Sequence, residues 1–290
     1  MNKQSKADFY LFLTTFIYGS TFVIFKFLLN NVSPILFLVF RYGFATFIFY
    51  LLFSKYLKSF SLETIKKGVI LGLIVGVGIL IQTIGVAYTT ASKAAFITGM
   101  MVVFTPLSQI FILKKTPTIS NVLGIFSVII GFYFLTYPFE SNINFGDILV
   151  LIASFLFGIY IVYLDLFTRG ENSFQITFLQ FITMAILYLI CFPFETKYLN
   201  INFEFLWMMG FMIIFATIIA VYIQTHYQKD TTPTKAVLIF SIEPVVASIL
   251  AYYTLNENIG YFGIIGGSMI IFGILISEFL ENILKYFKLK

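Results

Sequence analysis

QTIGVAYTTASKA, residues 82–94, returns 142 residues later as QTHYQKDTTPTKA, residues 224–236. Over the fifty positions from 82 to 131 the same shift gives twelve identities without a gap. The polar and glycine matches weigh most, because shared lipid-facing composition produces leucine and isoleucine matches on its own. They set Gln82-Thr83 on Gln224-Thr225, Thr89-Thr90 on Thr231-Thr232, Lys93 on Lys235, and Gly124 and Gly131 on Gly266 and Gly273. A shift of 139 pairs Asp8, Phe16, Gly19 and Val23 with Asp147, Phe155, Gly158 and Val162, and puts Lys26 opposite Asp165. The chain reads as two copies of one unit, residues 1–138 and 139–290.

Each unit is apolar enough to live in a bilayer. The chain is 60% hydrophobic and 11% charged, with mean hydropathy +0.97, whereas soluble domains carry about 25% charged residues. A hydrocarbon core of about 30 Å takes about 20 helical residues per crossing. Cutting at polar, proline and glycine signals predicts ten helices, over 8–29, 34–54, 68–90, 94–113, 119–137, 146–168, 173–193, 205–227, 233–254 and 260–283. The expected fold class is an all-α membrane protein with ten transmembrane helices. Five helices per unit is an odd number, so the second unit enters the membrane from the opposite side. Two inverted five-helix repeats related by an axis in the membrane plane enclose a midplane site in many secondary transporters.

The loop charges give a direction. With the N-terminus inside, the inner segments hold Lys3, Lys6, Lys55, Lys58, Lys66, Lys67, Lys114, Lys115, Arg169, Lys229, Lys235, Lys285, Lys288 and Lys290, fourteen of the eighteen basic residues. Lys93 and Lys197 fall outside, and Lys26 and Arg41 lie within helices. This bias places both termini in the cytoplasm. The basic residues are spread through the loops rather than gathered into one patch, which argues against nucleic acid as a partner. The apolar run 9–29 is too long for a signal-peptide core and is expected to stay as the first helix. Cys191, the single cysteine, gives neither a disulfide framework nor a zinc cluster.

FIYGSTFVIFK at 16–26, YTTASKAAFITGMMVVFTPL at 88–107 and KAVLIFSIEPVVASILAYYTLNE at 235–257 resemble the EamA-type carriers of the drug/metabolite transporter superfamily, over essentially the whole chain. The resemblance implies a ten-helix inverted-repeat carrier of the bacterial inner membrane, exporting amino acids or related metabolites, with some relatives importing nucleosides, vitamins or choline. That family often closes its fourth and ninth helices with Gly-Glu. Here the ninth ends Asn256-Glu257 and the fourth Lys114-Lys115, a departure that removes the acid from the first unit.

Polar groups within the apolar runs are the candidate substrate-binding residues. Glu243, before Pro244, falls near the middle of the ninth helix, where an ionised carboxylate costs roughly 2.5–3.5 kcal/mol to insert. It should meet a wet cavity or a partner, as an ammonium ligand or a carrier of a coupling proton; the plainer alternative is a protonated acid bonded to a neighbouring helix. Pro244 removes a backbone hydrogen bond and disfavours helical geometry at Glu243, predicting a kink. Arg41 suits a bidentate carboxylate or snorkels to outer headgroups. Gln82 and Gln224, equivalent under the repeat, suit a polar substrate or act as interhelical glue. Tyr18, Tyr160 and Tyr163 either line the cavity or pack. Lys26, Asp165 and the sole histidine, His226, lie near helix ends, where solvation or pairing explains them. Gly72-x-x-x-Gly76 and Gly263-x-x-x-Gly267 permit close helix approach, within one chain or across a homodimer.

No HExxH, CxxC, phosphate loop or GxSxG segment is present in the sequence, so no cofactor or metal is expected and ATP hydrolysis is excluded. The expectation is a secondary carrier, not an enzyme, moving a small polar metabolite by alternating access. Amino-acid efflux is the first reading. A cationic or aromatic cargo is the second, and an embedded enzyme or channel the third.

Overall fold

The computed structural model describes residues 2–135, 143–257 and 260–288. The expected unit boundary at 138/139 and the charge of Lys290 lie outside the described residues. The described chain is helical, apart from one isolated antiparallel bridge between Val32 and Leu199. In order the helices are α1 (Lys3–Leu29), α2 (Pro34–Phe53), α3 (Leu62–Ala87), α4 (Ala91–Gly99), α5 (Met101–Leu113), α6 (Ile119–Leu135), α7 (Phe145–Thr168), α8 (Ser173–Cys191), α9 (Phe203–Ile213), α10 (Ala220–Tyr227), α11 (Pro233–Phe240), α12 (Glu243–Leu255) and α13 (Gly260–Lys288).

Among the described residues, eight helical segments are long and apolar enough to cross a membrane, α4–α5, α9–α10 and α11–α12 each counting as one, and two shorter apolar runs occupy 119–134 and 260–276. Several helices start earlier than the apolar runs suggest, because a polar residue caps them first. Ser61 accepts from the backbone N–H of Thr64, so α3 begins six residues before the expected 68. Asn202 caps α9 through Phe205 N–H at 2.7 Å. Such caps satisfy N–H groups that would otherwise be orphaned at the helix end.

The kink expected at Pro244 is a full break: α11 stops at Phe240 and α12 restarts at Glu243. A second break, which no proline marks, separates α4 from α5 at Met100. The two breaks lie 142 residues apart, as do the left-handed caps that end α5 at Lys114 and α12 at Asn256. They also touch: a Cβ on Gly99 would sit 3.1 Å from Pro244 Cγ and 2.6 Å from Phe132 Cζ. Only glycine admits that approach.

Packing follows the same correspondence. α1 lies against α12, and α7, the counterpart of α1, lies against α5. At the contacts, Gly19 abuts Val246 while Gly158 abuts Phe104, again equivalent positions. The glycines of α3 pack inside the chain, Gly72 on Gln180 and Thr183 and Gly76 on Met184. α6 and α13 pair with each other through Gly131 on Ile270 and Gly273 on Val128.

Candidate functional site

A cavity of about 120 Å³ lies where α1, α2, α3, α7, α8 and α10 converge on the two helix breaks. Six of the seven residues expected to bind substrate line it: Glu243, Arg41, Gln82, Gln224, Tyr18 and Tyr160. Tyr163 is not among the lining residues. The lining stripe of α7 is Phe157, Tyr160 and Ile161, and Tyr163 packs on Phe167 with ring centres 5.2 Å apart. The remaining wall is mostly apolar and includes Phe22, Phe25, Val75, Ile79, Phe157 and Phe240.

Glu243 opens α12, where the break has left the first turn facing the cavity, and is 6% exposed. Among the described residues its carboxylate has neither a hydrogen bond nor an ion pair. A buried acid in a bilayer is expected to have one or the other. The plainer alternative, a carboxyl bonded to a neighbouring helix, is therefore not what the geometry of the described residues shows.

Arg41 sits on the other side of the site and does not snorkel; it is 5% exposed. Its Nε donates to Thr217 Oγ1 at 2.7 Å and its Nη2 to the Ala216 carbonyl at 3.3 Å. Both acceptors belong to a π-helical turn, Ile214–Ile219, between α9 and α10. A π-turn shifts the backbone bonding by one residue; here Thr217 Oγ1 bonds the carbonyl of Met212, five residues back, at 2.8 Å. The guanidinium also stands 5.2 Å from the ring centre of Tyr42, 5.8 Å from Phe25 and 6.0 Å from Phe37, within cation–π range.

Gln82 is engaged through its nitrogen and Gln224 through both its oxygen and its nitrogen. Gln82 donates to Thr98 Oγ1 at 2.8 Å. Gln224 accepts from the Tyr18 hydroxyl at 2.9 Å and donates to Gln228 at 3.1 Å. Tyr160 donates to Gln180 at 2.8 Å, and Gln180 donates to Thr225 at 3.3 Å. Sequence reasoning missed Tyr42, Thr98, Gln180 and Thr217. Gln180, a glutamine inside an apolar helix like Gln82, was legible by the same rule; Thr217 contacts a residue 176 positions away and carries no local signal.

Other polar groups have structural duties. Asp165 pairs with Arg169 at 3.0 Å, and His226 Nδ1 meets Ser173 Oγ at 3.2 Å. Lys93 and Lys235, counted as loop charges in the sequence, are part-buried: Lys93 pairs with Asp147 at 2.6 Å and Lys235 with Asp8 at 2.8 Å. Glu257, the acid the first unit lacks, accepts from the backbone N–H of Ala91 at 3.2 Å and Ser92 at 3.3 Å and so caps α4. Among the described residues no cluster of histidine, cysteine or acidic side chains has metal-binding proximity.

The family description EamA-like transporter matches this chain twice, over residues 5–137 and 144–279. The chain belongs to the EamA-like transporter family. A relative from Archaeoglobus fulgidus named "Uncharacterized transporter" is 33% identical over 264 residues, covering 90% of this chain and 83% of its own. Uncharacterized transporter YyaM of Bacillus subtilis is 25% identical and covers 92% of each. A solved crystal structure of 16% identity superposes with a TM-score of 0.79 over 97% of this chain and 99% of its own, a likeness of fold. For an EamA-like transporter the apolar helical segments are those of an integral membrane protein, and the cavity between them is the candidate cargo site.

Proposed function

We propose that this EamA-like protein is a secondary carrier that moves a small apolar zwitterion, an amino acid or a close relative, out of the cell by alternating access. Residues 1–138 and 139–290 form inverted five-helix repeats, giving ten crossings with both termini cytoplasmic in a bacterial inner membrane. The double family match, the equivalent helix breaks and the reciprocal ion pairs support that symmetry. Each ion pair joins one repeat to the other, Lys93 to Asp147 at one end and Lys235 to Asp8 at the other. Rocking about the crossed breaks opens one end as the other closes.

The observation that carries the cargo assignment is the pairing of an unpartnered Glu243 with a caged Arg41 in one apolar-walled cavity. Glu243 takes the ammonium, Arg41 the carboxylate, and Gln82, Gln224, Tyr18 and Tyr160 orient the cargo, whose side chain rests on the aromatic wall. Between cycles Glu243 is the group suited to carry a proton, which would couple transport to a gradient. The working unit is a monomer or homodimer.

Leucine counterflow into proteoliposomes tests this. The protein should exchange leucine saturably, and Glu243→Gln combined with Arg41→Leu should lower the rate at least about tenfold, the loss of one charge-assisted contact. Flux unchanged by both substitutions removes the two residues from the mechanism.

A further inference from the structure

Tyr42 is fully buried, lines the cavity, and its hydroxyl has no hydrogen-bond partner among the described residues. Unmade hydrogen bonds on buried hydroxyls are costly and uncommon. Its neighbours show what a satisfied tyrosine looks like here: Tyr18 donates to Gln224 at 2.9 Å, Tyr160 to Gln180 at 2.8 Å, and Tyr188 to the Gly76 carbonyl at 3.0 Å. Among the described residues Tyr42 alone of these four tyrosines lacks a hydroxyl partner.

Arg41 supplies the second half of the argument. A guanidinium has five N–H donors in a fixed plane. The edge made by Nε and Nη2 is taken by Thr217 and Ala216, which fixes the plane from behind. The end-on edge, Nη1 with the other hydrogen of Nη2, makes no hydrogen bond among the described residues, and Arg41 and Tyr42 both line the cavity. Arg41 and Tyr42 are consecutive on α2, with the guanidinium carbon 5.2 Å from the Tyr42 ring centre. Two such donors suit one carboxylate, whose oxygens accept at about 2.8 Å.

We infer that Tyr42 is a specificity-determining residue whose hydroxyl donates to the carboxylate that Arg41 binds, so that the two form one carboxylate subsite. The assignment rests on the cargo reading above. Toward an ionised carboxylate, which only accepts, the phenol is the donor. Among the lining residues Arg41 is the single basic and Glu243 the single acidic side chain, a balance that suits a monocarboxylate and leaves the second charge of a phosphate monoester unmatched. The rings of Phe25 and Phe37, 5.8 Å and 6.0 Å from the guanidinium carbon, make its surroundings apolar.

Two probes of equal shape isolate the carboxylate: L-leucine and L-leucinamide, titrated against the full chain in nanodiscs, with affinity read from ligand-induced thermal stabilisation. The unaltered protein should prefer leucine. Tyr42→Phe should weaken leucine about tenfold, one hydrogen bond to a charged group, leave leucinamide unchanged, and leave the ligand-free melting temperature equal or higher, since it deletes an unpartnered hydroxyl. Unchanged leucine affinity in Tyr42→Phe, or equal weakening of both probes, overturns the assignment. Arg41→Gln separates the two levels. If it abolishes the preference for leucine while Tyr42→Phe does not, the role of Tyr42 falls and the cargo reading stands. If neither substitution alters the preference, or the unaltered protein shows none, the cargo reading falls as well.

Discussion

Lys93 Nζ lies 2.6 Å from Asp147 Oδ2, joining the start of α4 to the first turn of α7. Asp147 is further held by Thr89 Oγ1 at 2.7 Å and by a reciprocal cap with Asn144. Its counterpart under the repeat is Asp8, which receives Lys235 at 2.8 Å. The two lysines are 142 residues apart and the two aspartates 139, so the same device closes both ends, with its partners exchanged between halves.

Charge reversal tests whether this pair acts as a unit. Asp147→Lys should lower the melting temperature and transport together, and Lys93→Asp added to it should restore much of both. A double-mutant cycle should give a coupling of about 1–3 kcal/mol, since Asp147 is nearly buried; additive losses would mean that the ion pair does not hold the ends together.

Close approach at equivalent glycines gives a second prediction. A methyl at Gly19 would meet Val246 Cβ at 2.7 Å and the Glu243 carbonyl at 2.9 Å; one at Gly158 would meet Phe104 Cβ at 2.8 Å. Gly19→Ala and Gly158→Ala should each destabilise by about 1–3 kcal/mol, seen as lower melting temperatures in detergent. Gly43→Ala, with open space around it, is the control and should change little.

Thr217→Val removes the hydroxyl that fixes Arg41 Nε while keeping the shape of the side chain. The expected result is weaker leucine binding, by about tenfold, with leucinamide spared. Equal loss for both probes would place Thr217 in packing alone.

A surface prediction concerns pH. Glu171, between α7 and α8, accepts from Lys67 Nζ at 2.8 Å and Thr64 Oγ1 at 2.7 Å. Partial burial works against its charge, but the hydrogen bonds from Lys67 and Thr64 outweigh it and hold the carboxyl below its ordinary value. A depressed folded-state pKa gives stability that is present above the unfolded value, about 4.3, and lost as pH falls through the folded one. The melting temperature should therefore drop between about pH 5 and about pH 3, more steeply than in Glu171→Gln. Parallel curves would assign the acid sensitivity to other groups.

The helical class and the location of the cavity residues were legible because insertion energetics make intramembrane polar groups conspicuous: Glu243, Arg41, Gln82 and Gln224 stand out against apolar runs and all reach one cavity. What was hidden depends on contacts between distant segments. The Met100 break has no proline, and the π-turn at Ile214–Ile219 is an all-apolar stretch apart from Thr217. Tyr42 resembles any packing tyrosine until its hydroxyl is found without a partner. Lys93 and Lys235 look like loop charges in the sequence because periodicity cannot reveal a partner more than fifty residues away.

Site-directed labelling from the two sides of the membrane tests reciprocal gating most directly. With Cys191→Ser as background, Met101→Cys puts a thiol in the cavity wall beside the first helix break, and membrane-impermeant maleimide is applied to right-side-out and inverted vesicles. Asp147→Asn should raise labelling from outside and lower it from the cytoplasm, and Asp8→Asn should do the reverse. Labelling that rises from both sides with either substitution, or responds to neither, would contradict two inverted halves alternating about a shared cavity.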